Sequence, residues 1–222
     1  MIESIGGGWG RALCEQMAAK KLAALEGYLA DAWSPKKPPV YPRRSQVFRA
    51  FEKTPLGDVR AVVLGQDPYP TEGQACGLAF SVPIVLPPGA PRPLSLGRIL
   101  TELRNEEFNA PENATLERWT THVLLLNSVL TYSKDGVDCR AVWKPFTTAV
   151  FQILVERSEP IAFLLWGKQA QAWVDTIRPP HKAICSPHPA ARGRAKPFAG
   201  SCPFSRANAF LGESRKIDWA LG

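Results

Sequence analysis

The sequence lacks the patterns of several common kinds of site. Its five cysteines form no CxxC pair, so neither a zinc site nor an iron–sulfur cluster is indicated. It contains no GxGxxG or GxxxxGK[ST] phosphate loop, which argues against a generic nucleotide-binding α/β protein. No apolar run approaches the roughly 20 residues that a membrane span needs. The first residues show no basic region followed by an apolar stretch, so we expect no secretory signal.

The cysteine usage and the charge balance narrow the class of protein. An odd number of widely spaced cysteines predicts reduced thiols in a reducing compartment. The net charge of +7 favours a polyanionic partner. The cations form short clusters rather than a long tail, which is typical of a folded basic face. These clusters are Lys36 with Lys37, Arg43 with Arg44, Arg192 with Arg194 and Lys196, and Arg215 with Lys216.

The hydrophobic pattern predicts an α/β fold in a single domain, 1–222. Short continuous apolar runs, typical of buried parallel strands, lie at 59–64, 122–127, 160–166 and 182–186. Helices are predicted at 11–33, 45–53, 96–107, 145–157, 168–177 and 204–220, with Pro145 in the first turn of its helix. We therefore expect three α/β/α layers around a four-stranded, mainly parallel sheet. Residues 1–44 would form an N-terminal helix and a proline-rich connector.

The residues that follow the predicted strands carry polar groups. Asp67, Asn127 and His188 lie at or just beyond three strand ends, and Trp166 lies at another. Ligands of open parallel sheets bind beyond the carboxyl ends of the strands. The pattern therefore predicts a carboxylate, an amide and an imidazole that converge at one edge of the sheet.

Six motifs in a fixed order carry a resemblance to a known family. They are GQDPYP at 65–70, GLAFSV at 77–82, PLSL at 93–96, LLLNSVLT at 124–131, LLWGKQAQ at 164–171 and SPHP at 186–189. Together they resemble the family 1 uracil-DNA glycosylases, over about residues 40–211. The resemblance implies hydrolysis of the bond between uracil and deoxyribose in single- or double-stranded DNA, on a base turned out of the stack. It implies no metal and no organic cofactor, and we expect a monomer.

The resemblance also implies roles for individual residues. Asp67 matches the aspartate that stabilises the sugar cation and positions the attacking water. His188 matches the histidine that donates a hydrogen bond to uracil O2 as negative charge develops there. Asn127 matches the residue that reads uracil, because its amide can donate to O4 and accept from N3–H. Cytosine presents the opposite pattern and would leave polar groups unpaired.

Other matched positions surround the expected base or contact the DNA. Phe80 matches the ring that stacks on the flipped base, and Tyr69 the ring that crowds C5, where thymine carries a methyl group. Gln66 is expected to contribute backbone contacts to the base. Ser95 and Ser186 are expected to contact DNA, although capping of the helix at 96–107 explains Ser95 nearly as well.

The chain departs from the family pattern at three places. Pro70 stands where the family usually has histidine, and the segment after Asn127 is shortened and lacks the usual histidines. The largest departure is AARGRAK at 190–196, where the family typically has Ser-Pro-Leu-Ser. Counted from His188, Arg192 takes the place of the leucine that fills the gap left by the flipped base.

The altered segment leads to two hypotheses. Arg192 inserts into or braces the duplex through stacking and phosphate contacts, or it adds only backbone electrostatics. Arg194 and Lys196 would compensate for the lost serine hydroxyl at Ala190, with a steeper salt dependence. Family members bind a DNA-mimicking phage inhibitor that grips the leucine loop, so we expect weaker inhibitor binding here.

Two alternative functions remain open at the level of the sequence. One is a glycosylase with broader base choice, against which Tyr69 and Asn127 argue. The other is a non-catalytic binder of damaged or abasic DNA, which would not need Asp67 or His188. The expected compartment is the bacterial cytoplasm, because the cysteine pattern predicts reduced thiols and no nuclear or mitochondrial signal is evident.

Overall fold

The fold is built on a four-stranded parallel sheet. The structure, a computed structural model, describes residues 1–191 and 197–222. Each pair of neighbouring strands in this sheet is parallel. The α/β class and the four-stranded sheet predicted from sequence are therefore confirmed. The strands are β2 Ala61–Gly65, β3 Val123–Asn127, β5 Ala162–Trp166 and β6 Lys182–Ser186, in the spatial order β3-β2-β5-β6. A separate antiparallel pair, which the sequence did not predict, joins β1 Val40–Tyr41 to β4 Tyr132–Ser133.

Helices cover both faces of the sheet. On β5, Phe163 packs against Phe151 with ring centroids 5.5 Å apart, and Trp166 packs against Phe204 at 6.0 Å. Side chains alternate along a strand, so positions three residues apart point to opposite faces. The helix that carries Phe151 and the helix that carries Phe204 therefore lie in the two outer layers. The helices are α1 Trp9–Gln16, α2 Ala19–Asp31, α3 Arg49–Lys53, α4 Leu94–Asn105, α5 Arg140–Val155, α6 Lys168–Gln171 and α7 Pro203–Leu211.

Two helix predictions near the termini were wrong in extent. The helix predicted at 11–33 is two helices, because Met17 and Ala18 have extended ψ values of 134° and Met17 N–H closes α1 on the Leu13 carbonyl. The apolar spacing hardly changes across this break, so periodicity does not reveal it. The helix predicted at 204–220 ends at Leu211, since Gly212 adopts a φ of 71° that favours glycine and stops the helix.

The starts of two central helices also differ from the prediction. Helix α5 begins at Arg140, whose N–H is accepted by the Asp138 carboxylate at 2.9 Å, so Pro145 lies inside the helix rather than in its first turn. Helix α4 begins at Leu94 after Pro93, so Ser95 is not its N-cap. The helices predicted at 45–53 and 168–177 are each a short α-helix with a 3-10 turn, at Arg44–Gln46 and Val174–Thr176.

Within the described ranges, no helix has both the length and the apolar character that crossing a membrane requires.

Candidate active site

A small cavity lies at the carboxyl edge of the sheet. Its volume is about 220 Å³, which is below the roughly 300–1,000 Å³ of sites for drug-sized ligands and suits a single ring. Asp67, Asn127 and His188, predicted to converge from three strand ends, all line it. The remaining lining residues are Gly65, Gln66, Pro68, Tyr69, Pro70, Ala75, Cys76, Gly77, Leu78, Phe80 and Ser95.

Asn127 is seated by the strand pairing. It is the register partner of Gly65, and a Cβ added at Gly65 would collide with Asn127 Oδ1. Beyond the strand ends, the Gln66 carbonyl accepts the N–H of Val129 and the hydroxyl of Ser128, both at 2.9 Å. Among the residues that the structure describes, the Asn127 amide forms no hydrogen bond, so its donor and acceptor are free for a ligand in the cavity.

Asp67 lies at the exposed rim of the cavity, immediately beyond β2. Nearby protein atoms displace water from the carboxyl and raise its pKa, and the Asp138 charge adds to this. The Arg140 guanidinium acts in the opposite direction and lowers the pKa. Arg140 Nε also donates to Asp138 at 3.0 Å. These two residues and Asp67 line a second, adjoining cavity of about 130 Å³.

Phe80 forms the back of the cavity in a strained conformation. Its φ of 60° is uncommon for any non-glycine residue and costs on the order of 1–3 kcal/mol. The Phe80 carbonyl accepts the Tyr69 hydroxyl at 3.0 Å, and the Ala79 N–H donates to the Leu125 carbonyl at 3.0 Å. The Phe80 ring lies 5.8 Å from the His188 ring, centroid to centroid. These hydrogen bonds thus hold the Phe80 ring against the cavity in a backbone conformation that is unfavourable by itself.

Tyr69 links the cavity to helix α4. Because its proton goes to Phe80, the Ser95 hydroxyl donates to the Tyr69 oxygen, at 2.9 Å. Burial raises the pKa of Tyr69, so the hydroxyl stays protonated at neutral pH. Ser95 therefore orders Tyr69, a contact that the capping alternative did not anticipate.

The imidazole of His188 has a defined tautomer. Its Nδ1 accepts the N–H of Ala190 at 3.0 Å, so the proton of the neutral ring is on Nε2. Burial lowers the pKa of His188, which favours this neutral form. Gly167, with a φ of 87°, lies directly beneath, and a Cβ there would come within 2.7 Å of His188 Cβ. The close packing on Gly167 and the Ala190 hydrogen bond fix the orientation of a neutral ring that is able to donate through Nε2.

Comparisons with known proteins agree with this geometry. Residues 51–212 match the family model of the uracil DNA glycosylase superfamily. The chain is 40% identical to the uracil-DNA glycosylase of Pseudomonas aeruginosa, over 96% of this chain and 93% of that protein. It is 38% identical to that of Streptococcus uberis, over 95% and 97%. The chain belongs to the uracil DNA glycosylase superfamily.

A solved structure supports the fold assignment for this superfamily member. A substituted form of mimivirus UNG, in complex with UGI, superposes with a TM-score of 0.74. The two are 24% identical, and the match covers 94% of this chain and 91% of that one. At this identity the likeness concerns the fold.

The remaining residues predicted for the site differ in their burial. Gln66 is exposed on the rim, whereas Trp166 is buried behind the cavity against Phe80, at 5.3 Å. Ser186 is buried, and its hydroxyl has no hydrogen-bond partner among the described residues. Its expected contact with DNA would require the hydroxyl to become accessible. The predictions for Arg192, Arg194 and Lys196 lie outside the described residues.

Sequence reasoning missed several contributors to this superfamily member's site. Gly65 and Gly167 leave room for Asn127 and His188, and their only sequence signal is a glycine at the end of an apolar run. Asp138 and Arg140 act on Asp67 from just before α5 and from its first residue, and neither lies in one of the six motifs. In residues 1–191 and 197–222, no group of three or more His, Cys, Asp or Glu side chains is arranged to hold a metal ion.

Proposed function

We propose that the protein is a uracil-DNA glycosylase that hydrolyses the N-glycosidic bond of deoxyuridine in DNA, releasing uracil and leaving an abasic site, as a step of base excision repair. The observation that carries the proposal is the convergence of Asp67, the free amide of Asn127 and the Nε2–H of His188 on one cavity of single-ring size. Family membership supports the same activity.

Recognition of uracil is assigned to Asn127. Its amide has no protein partner among the described residues, so it is able to donate to O4 and accept from N3–H of a bound base. Cytosine would face the same amide with donor against donor, and the unpaired groups would cost about 1–3 kcal/mol or more. The seat made by Gly65 supports this role, because it holds the amide at one position.

Bond cleavage requires the site to stabilise two charges. The sugar becomes cation-like, and the ionised carboxylate of Asp67 at the rim stabilises it and orients the attacking water. The departing uracil becomes anionic, and His188 donates Nε2–H to O2. A neutral imidazole suffices for this donation, so the lowered pKa of His188 is compatible with the role.

Aromatic side chains complete the pocket for the flipped base. Phe80 offers its ring for stacking, and Tyr69 excludes the methyl group of thymine at C5. The Tyr69 hydroxyl is committed to Phe80 and Ser95, which keeps this ring from moving aside. That rigidity supports steric rejection of thymine rather than adaptation to it.

Excision assays on matched duplexes test the proposal. The substrates are identical except for one U·A, U·G, T·A or C·G pair, and Asp67→Asn serves as the inactive control. We expect uracil release from both uracil duplexes, no release of thymine or cytosine, and near-complete loss with Asp67→Asn. Release of thymine or cytosine would favour the broader glycosylase, and binding without release would favour the non-catalytic binder.

The contacts with the DNA strand are proposed from sequence. Ser95, Ser186, Arg192, Arg194 and Lys196 are assigned to them, and Arg192→Ala tests the insertion hypothesis. A larger loss of excision on duplex than on single-stranded substrate would support insertion, whereas an equal, small loss on both would refute it. Weak binding of the phage DNA-mimic inhibitor is expected, and a tight complex at stoichiometric inhibitor would contradict it.

We also propose a bacterial cytoplasmic location and a monomeric state. The relatives named above come from bacteria, and the five cysteines are free thiols, as is usual in a reducing compartment. Sedimentation of the purified protein would test the monomer.

A further inference from the structure

One face of α4 carries a line of polar side chains that reach the surroundings of the cavity. The members are spaced three or four residues apart, so they lie on the same side of the helix. The first member, Ser95, contacts Tyr69, and the others contact backbone groups near the carboxyl edge of the sheet. The line consists of Ser95, Arg98 and Glu102 on α4 and of Glu106, the residue that caps its C-terminal end.

Arg98 holds the turn that follows His188. Its Nη1 donates to the carbonyl of Pro189 at 2.8 Å and to that of Ala191 at 2.7 Å. Within the same turn, Ala191 N–H donates to the His188 carbonyl at 2.8 Å, and Ala190 N–H donates to His188 Nδ1 at 3.0 Å. One guanidinium nitrogen therefore bridges the Pro189 and Ala191 carbonyls, and the Pro189 carbonyl belongs to the peptide group whose N–H, that of Ala190, fixes the imidazole.

The next members of the line anchor α4 itself against the C-terminal part of the chain. Glu102 is fully buried, and its carboxylate accepts the N–H of Gly200 at 2.8 Å and of Cys202 at 2.9 Å. Glu106 accepts the N–H of Ser205 at 2.6 Å, in the first turn of α7. Charge-assisted bonds of this kind are among the stronger hydrogen bonds in proteins. Arg98 thus acts from a helix that is itself fixed.

We propose that Arg98 is a positioning residue for uracil excision, which bridges the Pro189 and Ala191 carbonyls and so keeps the Ala190 N–H on His188 Nδ1 and the Nε2–H directed into the cavity. This inference rests on the proposed function. An arginine suits the task because its charge is permanent and one planar nitrogen offers two N–H donors. Arg98 itself does not line the cavity, so it acts through His188.

The test compares Arg98→Met with Arg104→Met. Arg104 lies on the same helix and also donates Nη1 to a carbonyl, that of Ala110 at 2.8 Å, but away from His188. The measurements are the single-turnover excision rate, the KM for a uracil-containing oligonucleotide, and the ¹⁵N spectrum of the His188 imidazole. We expect Arg98→Met to lower the rate about 10- to 100-fold through misplacement of the ring, with KM near the wild-type value.

The imidazole spectrum separates positioning from a merely structural role. In the wild type we expect an unprotonated Nδ1 and a protonated Nε2, and in Arg98→Met a mixture of tautomers. Arg104→Met should match the wild type in rate and spectrum. A wild-type rate in Arg98→Met, a loss of rate with unchanged His188 signals, or an equal loss in Arg104→Met would overturn the proposal.

A second variant covers the case in which Arg98→Met does not fold. Arg98→Gln keeps an N–H donor but lacks the charge and the length to bridge both carbonyls, so a smaller loss of rate and a partial change of the His188 spectrum are expected. Wild-type behaviour of Arg98→Gln would then refute the role. An inactive wild type would refute the proposed function instead, and the His188 spectra would still test the positioning by Arg98.

Discussion

The cavity has an Asp67 wall and a His188 wall, and burial favours the protonation state that the proposed function needs at only one of them. Loss of solvent favours the neutral form of any titratable group, so it raises the pKa of Asp67 and lowers that of His188. The proposed mechanism needs a neutral histidine and an ionised aspartate. The fold therefore assists one wall and opposes the other.

The surroundings of the two walls reflect this difference. The His188 ring is held by an internal hydrogen bond, by Gly167 beneath it and by a turn that Arg98 bridges. Asp67 is exposed, whereas His188 is half-buried, and the charge of a nearby cation, Arg140, lowers the pKa of Asp67. Packing favours the neutral form of the histidine, whereas solvent and a nearby cation favour the charged form of the carboxylate.

Substitution of Asp67 should have the largest effect on excision. Asp67→Asn is expected to lower the excision rate by about 10²- to 10³-fold or more, because the charge that stabilises the sugar cation is lost. The folded-state pKa of Asp67 lies above its unfolded value, so its ionisation costs stability as pH rises through the folded pKa. Asp67→Asn should therefore melt at or above the wild-type temperature at neutral pH.

Two measurements decide this prediction: single-turnover excision and thermal unfolding at neutral pH. Asp218→Asn, at an exposed position remote from the cavity, is the control and should leave both unchanged. A marked drop in melting temperature for Asp67→Asn would show that the carboxylate stabilises the fold, contrary to the sign derived from its pKa.

His188→Gln tests the opposite wall and should have the second largest effect. Loss of the Nε2–H donor to uracil O2 is expected to cost about 100-fold in rate. His122→Gln is the control, since that imidazole is half-buried, does not line the cavity and, among the described residues, hydrogen-bonds only the Asp58 carbonyl. Rates that fall equally in both variants would remove His188 from the mechanism.

The lowered pKa of His188 gives a separate, pH-dependent prediction. The unfolded chain takes up a proton at this histidine before the folded protein does, so the stabilisation is complete above the unfolded pKa of about 6.5. It is lost as pH falls through the folded value. Unfolding midpoints measured across the acidic range should fall less steeply in His188→Gln than in the wild type, and identical slopes would contradict the pKa shift.

Gly65, which leaves room for the Asn127 amide, should be the next most sensitive position. Gly65→Ala would place a Cβ against Asn127 Oδ1, so the amide must move and excision should fall by about 10-fold or more. Gly27→Ala is the matched control, because no atom lies within 4 Å of a Cβ at that helical position. It should stabilise α2 by roughly 0.5–1 kcal/mol without changing the rate. A wild-type rate in Gly65→Ala would mean that Asn127 needs no fixed seat.

The sheet was predictable from sequence because β2, β3 and β5 are nearly continuous apolar runs and β6 has an apolar centre at 183–185. The polar residues after these segments indicated Asp67, Asn127 and His188. Helix boundaries were less accessible. The break at Met17 and the start of α5 at Arg140 depend on backbone angles and on one side-chain contact, neither of which alters the apolar spacing.

The supporting geometry of the site was not predictable from sequence. Arg98 contacts residues more than 90 positions away along the chain, and no local pattern indicates such a pairing. The tautomer of His188 follows from one backbone N–H, and the strained φ of Phe80 from contacts with Tyr69 and the neighbouring strand. Motifs reveal which residue types meet at the cavity, whereas their protonation and orientation depend on the folded neighbours.

The smallest effect is expected from the two charges near Asp67, those of Arg140 and Asp138. Arg140→Gln removes the cation that lowers the Asp67 pKa, so that pKa rises and the acidic limb of the excision profile moves to higher pH. Asp138→Asn removes an anion that raises the pKa, so the limb should move to lower pH. Excision measured from acidic to neutral pH should thus show opposite shifts, with rates within a few-fold of wild type well above the limb. No shift in either variant would mean that solvent alone keeps Asp67 ionised, and shifts in the same direction would contradict the opposing effects of the two charges.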